Sequence, residues 1–207
     1  DELDYSLSGS GALSGTGGGQ DLADGIAQTH TLTADTASAG AKSGFVSVLS
    51  SSEEVVDGTF SRSVQYSVLD HAAPTFDFGK AGLLGDLLID FGDVRAGQAV
   101  SPQEFSILNV EQLAGYTAAL DLDAIAASGD TDVLSADLAV FSGLAAGEAT
   151  QFQATLQTSR TGALGSDYVL TLSDEDLTGA KTDHELTLTL GATVWAFGDA
   201  DRSGGID

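Results

Sequence analysis

From Glu185 to Val194 the chain reads ELTLTLGATV, with Leu186, Leu188 and Leu190 on one side of an extended backbone and Thr187 and Thr189 on the other. Successive side chains in a strand point to opposite sides, so this alternation predicts a strand with one buried face. QFQATLQT repeats the pattern with Phe152, Ala154 and Leu156, DYVLTLSD with Tyr168, Leu170 and Leu172, and SVQYSVLD with Val64, Tyr66 and Val68. Four less regular segments also read as strands: LLIDFG at 87–92, EFSILNV at 104–110, YTAALDLDAI at 116–125 and VLSADL at 133–138. Residues 110–119 admit a short helix, but the alternating run that begins at Tyr116 favours a strand. Gly, Ser and Asp fill the gaps, as turns require. Seven strands between Leu87 and Val194, over about 110 residues, is the spacing of an antiparallel sandwich. The expected fold class is all-β: two immunoglobulin-like antiparallel β-sandwiches in tandem, the first incomplete.

The incompleteness follows from an internal repeat. THTLTADTASAGAKSGFVSVLSSSEE (29–54) matches ATLQTSRTGALGSDYVLTLSDED (154–176) at an offset near 123, which sets Phe45 opposite Tyr168. A further alternating strand follows in each copy. Three strands precede the repeat in the second copy, whereas the first has 28 residues, of which DYSLSGSGAL supplies one strand. The first module therefore begins part-way through a sandwich. Expected boundaries are 1–70 for the partial sandwich, 71–85 for a linker marked by Pro74, Gly79, Gly82 and Gly85, 86–197 for the second sandwich, and 198–207 for a separate terminal loop.

Charge narrows the partners. Thirty-one acids against seven basic residues give a net charge of −24. Such a surface repels phosphate backbones and anionic lipid, so nucleic acid is not an expected partner. No apolar run reaches the ~20 residues of a membrane span, so no membrane insertion is expected. Cys and Met are absent: no disulfides brace the fold, and the chain reads as a mature product or fragment rather than one starting at its translation start. Asn109 is followed by Val110 and Glu111, so no glycosylation sequon exists.

The run LLIDFGDVRAGQAVSPQEFSILNV, with Asp90, Phe91, Gly92, Val94, Gly97 and Asn109, resembles the opening of immunoglobulin-like modules of the ASH and choice-of-anchor kind found in bacterial exported proteins. LAAGEATQFQATLQTSRTGALGSDYVLTLSD resembles their second half, and residues 29–70 the closing half of another copy. The resemblance implies structural or binding spacers and supplies no catalytic residues. At the carboxyl end, GDADRSGGID resembles the start of a dockerin-type or EF-hand calcium loop. That chemistry needs oxygen ligands at alternate positions and a glycine at the sixth for the sharp turn. Asp199, Asp201 and Ser203 take positions one, three and five, Gly204 the turn, Gly205 offers its carbonyl, and Asp207 takes position nine. Ser203 replaces the usual Asp or Asn, and the acid of position twelve lies beyond Asp207, so the loop as written is incomplete.

Other chemistry is sparse. His30, His71 and His184 are far apart in sequence, and the last two read as exposed polar residues. Gly17, Gly18 and Gly19 lack the lysine of a phosphate loop and read as a flexible turn. Asp121 and Asp123 share a strand face, while Asp174, Glu175 and Asp176 crowd one turn where Asp174 and Asp176 form a secondary calcium candidate. A Lys–Asn crosslink would need Asn109 with Lys42, Lys80 or Lys181. Trp195 and Phe197 read as an end-plug or, exposed, as sugar-stacking rings. The sequence thus predicts a secreted, non-enzymatic structural or assembly protein (a surface-layer, filament or stalk subunit) that self-associates by strand addition. The alternative is a carbohydrate-binding or spacer module of a larger secreted, dockerin-bearing enzyme, with polysaccharide as its partner.

Overall fold

The computed structural model describes residues 2–22, 26–52, 58–76, 82–196 and 198. Among them there are strands, turns and bends but no helix. The chain divides into two units, residues 1–70 and 71–207.

The second unit is a sandwich. One sheet contains β8 (Asp86–Arg95), β10 (Leu120–Gly129), β12 (Phe141–Leu144), β14 (Gly162–Asp174) and β15 (His184–Trp195), in the order β12-β10-β14-β15-β8. The other contains β7 (Pro74–Thr75), β9 (Gln103–Asn109), β11 (Leu134–Ala136) and β13 (Ala149–Leu156), in the order β11-β13-β9-β7. All pairs are antiparallel except β8 with β15, which is parallel. The alternation seen in sequence becomes burial. Leu164, Tyr168, Leu170 and Leu172 of β14 and Leu186, Leu188, Leu190 and Val194 of β15 are buried against Phe105, Ile107, Phe152 and Ala154 of the opposite sheet. Each large apolar side chain so buried contributes roughly 1.5–3 kcal/mol.

The resemblance motif has local reasons. Asp90 Oδ1 accepts the Gly92 N–H at 2.8 Å, Gly92 takes φ +70°, and this kink coincides with the register shift between β8 and β15. Val94 returns to the core at 6% exposure, and Gly97 turns the chain with φ +77°. Asn109 is fully buried: its Oδ1 accepts the Ala73 N–H (3.0 Å), and its Nδ2 donates to the carbonyls of Ala118 (2.9 Å) and Leu144 (3.1 Å). Backbone groups occupy both ends of its amide, so these contacts make it a hydrogen-bonding tie rather than a partner for lysine.

The linker expectation needs correction. Residues 71–76 belong to the second unit: Ala72, Ala73, Pro74, Thr75 and Phe76 are all buried, and β7 pairs Pro74 with Asn109. Five consecutive buried residues erase the alternation that would have announced a strand. The Thr75 hydroxyl also accepts the Leu84 N–H (2.8 Å), tying residue 84 to the same unit.

The first unit is a four-stranded antiparallel sheet, β3-β1-β5-β6, from β1 (Glu2–Gly11), β3 (Thr16–Leu22), β5 (Gly40–Ser50) and β6 (Thr59–Val68). A short ribbon pairs β2 (Leu13–Ser14) with β4 (Thr33–Ala34). Gly17, Gly18 and Gly19 are therefore strand, not a flexible turn. A Cβ on Gly18 would stand 2.6 Å from the Tyr5 carbonyl, and one on Gly17 2.7 Å from His30 Nδ1, so close approach requires glycine there.

The six strands β1 to β6 match β10 to β15 one for one. Sheet order, pairing direction and the intervening ribbon (β2-β4, β11-β13) agree. Individual bonds agree too: Ala12 N–H to Ser43 O mirrors Asp130 N–H to Gly165 O, and Asp35 N–H to Ala12 O mirrors Gln157 N–H to Val133 O. Gly40 and Gly162 open the matching strands with φ +128° and +116°. This alignment sets Val46, not Phe45, opposite Tyr168. A one-residue slip moves a side chain to the other face, so Phe45 is 52% exposed while Tyr168 is 5% exposed. The first unit has no counterparts of β7, β8 and β9 among its described residues.

Candidate functional site

Asp199, Asp201, Ser203, Gly205 and Asp207, with Gly204 and Phe197, lie outside the described residues. Among the described residues no group of three or more His, Asp or Glu side chains is arranged to hold a metal ion.

Among the described residues the buried acid is Asp174, at the end of β14. Its carboxylate lies 2.6 Å from His71 Nδ1 and 3.3 Å from His184 Nε2, and accepts the Ala72 N–H (2.8 Å) and the Lys181 N–H (2.7 Å). Burial raises its pKa, but the bonds from Lys181, His71, Ala72 and His184 outweigh that and hold it below the ordinary aspartate value. An ionised carboxylate only accepts, so each histidine presents an N–H to it. His71 and His184, read as exposed polar residues, are thus brought together; the His184 side chain is only 11% exposed. Nothing in the sequence spacing joins positions 71, 174 and 184. With four donors around its two oxygens, Asp174 acts as a fastener for the entry strand and the turn before β15. That use of its oxygens replaces the secondary calcium pairing with Asp176. Asp121 likewise binds backbone: its Oδ1 accepts the Gly143 N–H at 2.6 Å.

Trp195 ends β15 with the Arg95 guanidinium 4.9 Å from its ring centroid, so a cation occupies one ring face.

The sheet of the first unit exposes apolar side chains on both faces, Phe60 on one and Phe45 and Leu49 on the other. Residues paired across a sheet share a face. One face carries Leu7, Val46, Val48, Val64, Tyr66 and Phe60; the ribbon packs there, with Leu13 against Gly44 and the Tyr66 hydroxyl 2.9 Å from the carbonyl oxygens of Ala12 and Asp35. His30 joins this face through its Nε2, 2.7 Å from the Tyr5 hydroxyl. Phe60 remains 55% exposed beneath Arg62, whose guanidinium lies 5.2 Å over its ring. The other face is rich in hydroxyls: Ser8, Ser47 and Ser61 form one row, with Ser47 and Ser61 oxygens 3.2 Å apart, and Phe45 lies between Ser10 and Ser63. Among the described residues β6 forms the sheet edge, paired with β5 alone. Lys42, on β5, pairs with Asp35 at 3.3 Å. The Ala37 N–H and Lys42 together hold that carboxyl below the ordinary range.

No helix among the described residues is long and apolar enough to cross a membrane. No protein-family model matches the chain, and no curated protein matches it. Solved structures similar to it include the Vibrio cholerae VesB protease (16% identity, TM-score 0.34), of which it spans 30% with 52% of its own length. Others are CfaE, the adhesive subunit of the CFA/I fimbria of enterotoxigenic Escherichia coli (11% identity, TM-score 0.36, 75% of this chain and 59% of that one), and protocadherin gamma B2 extracellular cadherin domains 3–6 (16% identity, TM-score 0.37, 94% and 43%). The described residues form an all-β structure with a two-sheet sandwich in the second unit, and these likenesses assign the chain neither activity nor partner.

Proposed function

We propose that this chain is an extracellular structural or assembly protein, without catalytic activity of its own, whose copies associate through added strands. One observation carries the reading: among its described residues the first unit repeats β10 to β15, ends in the ten-residue edge strand β6, and carries an apolar face that is only half covered. Natural edges are normally shortened, charged or covered. β6 is long, contains no acid and has Arg62 as its one charge, although the chain as a whole carries −24. The carbohydrate-binding alternative draws less support. Among the described residues the hydroxyl-rich face offers Phe45 as its single large ring, and Phe60 stands on the opposite face. The test is electron microscopy and sedimentation of the purified chain across a concentration series. Filaments, sheets or mass rising with concentration support assembly; a single-chain mass throughout overturns it.

A further inference from the structure

The repeat sets one outward face against another. In the second unit the core lies on the side of Tyr168 and Leu190, and the side of Asp167, Val169 and Thr189 is turned outward. Gly40 pairs with Val68 as Gly162 pairs with Val194, so the hydroxyl-rich face of the first unit is the counterpart of that outward side. A strand laid beside β6 would widen this face, and a sheet packed over Val46 and Tyr66 would lie behind it; neither covers it.

The two outward faces differ in charge. Phe45 stands where Asp167 stands, Thr59 where Glu185 stands, and Leu49, between Ser6 and Thr59, where Thr171 stands. Across the rows of Phe45, Ser47 and Leu49 the described residues of the first unit include no charged side chain, although the whole chain carries −24. Asp4 stands at the margin, next along β1 from Ser6 on that face. Phe45 and Leu49 are each 52% exposed. Copies of so acidic a chain repel wherever acids meet, so they approach closely on a face without them. A hydroxyl both donates and accepts, so a row of serines complements the same row on a second copy. Phe45 and Leu49 stand two residues to either side of Ser47 on β5, and a half turn about the Ser47 row therefore lays each over the other.

We infer that this face docks on the same face of a second copy of the chain, with Phe45 of each copy over Leu49 of the other and Ser47 over Ser47. The contact rests on the assembly reading and adds to it a joint that exchanges no strand. Sheets packed face to face stand about 10 Å apart with their side chains interleaved. Four strands ~4.8 Å apart, with seven paired residues at ~3.3 Å each, give a footprint of about 19 by 23 Å. Two copies cover about 900 Å² between them, below the ~1,200 Å² at which stable interfaces begin, so the contact is weak and reversible.

The test is sedimentation of the full chain across a concentration series. Mass should rise with concentration, and more steeply as sodium chloride is raised, because salt screens the repulsion between copies. Phe45→Asp installs the residue of the matching position in the second unit, and Leu49→Lys places an ammonium opposite it. Each variant alone should weaken self-association at least tenfold, with a circular dichroism spectrum like that of the wild type. Mixed in equal amounts, the two should associate again. The mixed pair sets the new carboxylate against the new ammonium and leaves one Phe45–Leu49 contact intact. Phe45→Asp mixed with Phe45→Lys should not recover. Recovery by that second mixture and not by the first overturns the crossed geometry. Association that salt weakens overturns the face. β5 is an inner strand of its sheet, so these variants leave strand addition at β6 untouched. Association that survives both of them refutes this face while the assembly reading stands; a chain that stays single at every concentration refutes both.

Discussion

Replacing Asp174 with Asn keeps size and shape but changes what the side chain offers. The wild-type carboxylate accepts through both oxygens: Oδ1 from Ala72 N–H and His184, Oδ2 from Lys181 N–H and His71. An amide keeps one oxygen and turns an NH2 toward the other pair of donors. Whichever way the new amide rotates, one backbone N–H and one histidine lose their acceptor. A buried donor left unmet costs ~1–3 kcal/mol. His71, with 56% of its side chain exposed, recovers water. The expected loss for the second unit is therefore about 2–4 kcal/mol at pH 7. The single tryptophan, Trp195, lies in that unit, so urea unfolding followed by its fluorescence reads this transition. The pH dependence has a definite sign. The folded pKa of Asp174 is lowered, so its contribution is complete above the unfolded value of about 3.9 and disappears as pH falls through the folded value. The gap between wild type and Asp174→Asn should persist down to about pH 4 and close below it. A gap under about 1 kcal/mol at neutral pH, or one unchanged in strong acid, refutes the fastener role.

Asn109→Ala strands the Ala73 N–H and the carbonyls of Ala118 and Leu144, and should cost about 2–4 kcal/mol in the same fluorescence transition. Gly129 takes φ +83°, and an added Cβ would collide with the Gly165 carbonyl, whereas Gly179 takes φ +89° with open space around it. Gly129→Ala should therefore destabilise clearly more than Gly179→Ala; equal melting temperatures would contradict the steric account. A chain extended through the twelfth position of the carboxyl-terminal loop should bind calcium by calorimetry, and Asp199→Ala or Asp201→Ala should remove the binding. Equal heats in these variants place any calcium elsewhere.

Strands β14 and β15 were legible because one face of each meets a core and the other meets water, so burial and sequence share a period of two. β7 was hidden by the opposite circumstance: Ala72 to Phe76 are buried on every side, and Pro74 and the nearby glycines read as linker. β3 was hidden because its glycines carry no side chain to alternate, though crowding by Tyr5 and His30 is what demands them. The repeat was legible as an order of features, but its register was one residue off. Thr/Ser-rich strands align almost equally well at either parity, and the bonds at Ser43 and Gly165 decide between them. The cluster at Asp174 was not legible, since its histidines approach from 103 residues before it and 10 after it.

The parallel pairing of β8 with β15 also sets how the second unit carries tension. Force entering upstream of β8 and leaving downstream of β15 pulls two neighbouring parallel strands past one another. Eight paired positions, Asp86 to Arg95 against Thr187 to Trp195, then share the load at once. An antiparallel hairpin pulled from its open ends peels one bond at a time instead. Asp174, which grips residues 71 and 72 ahead of β8, acts in series as an earlier and weaker catch. Pulled along the line of the chain, the second unit would thus resist as a shear clamp.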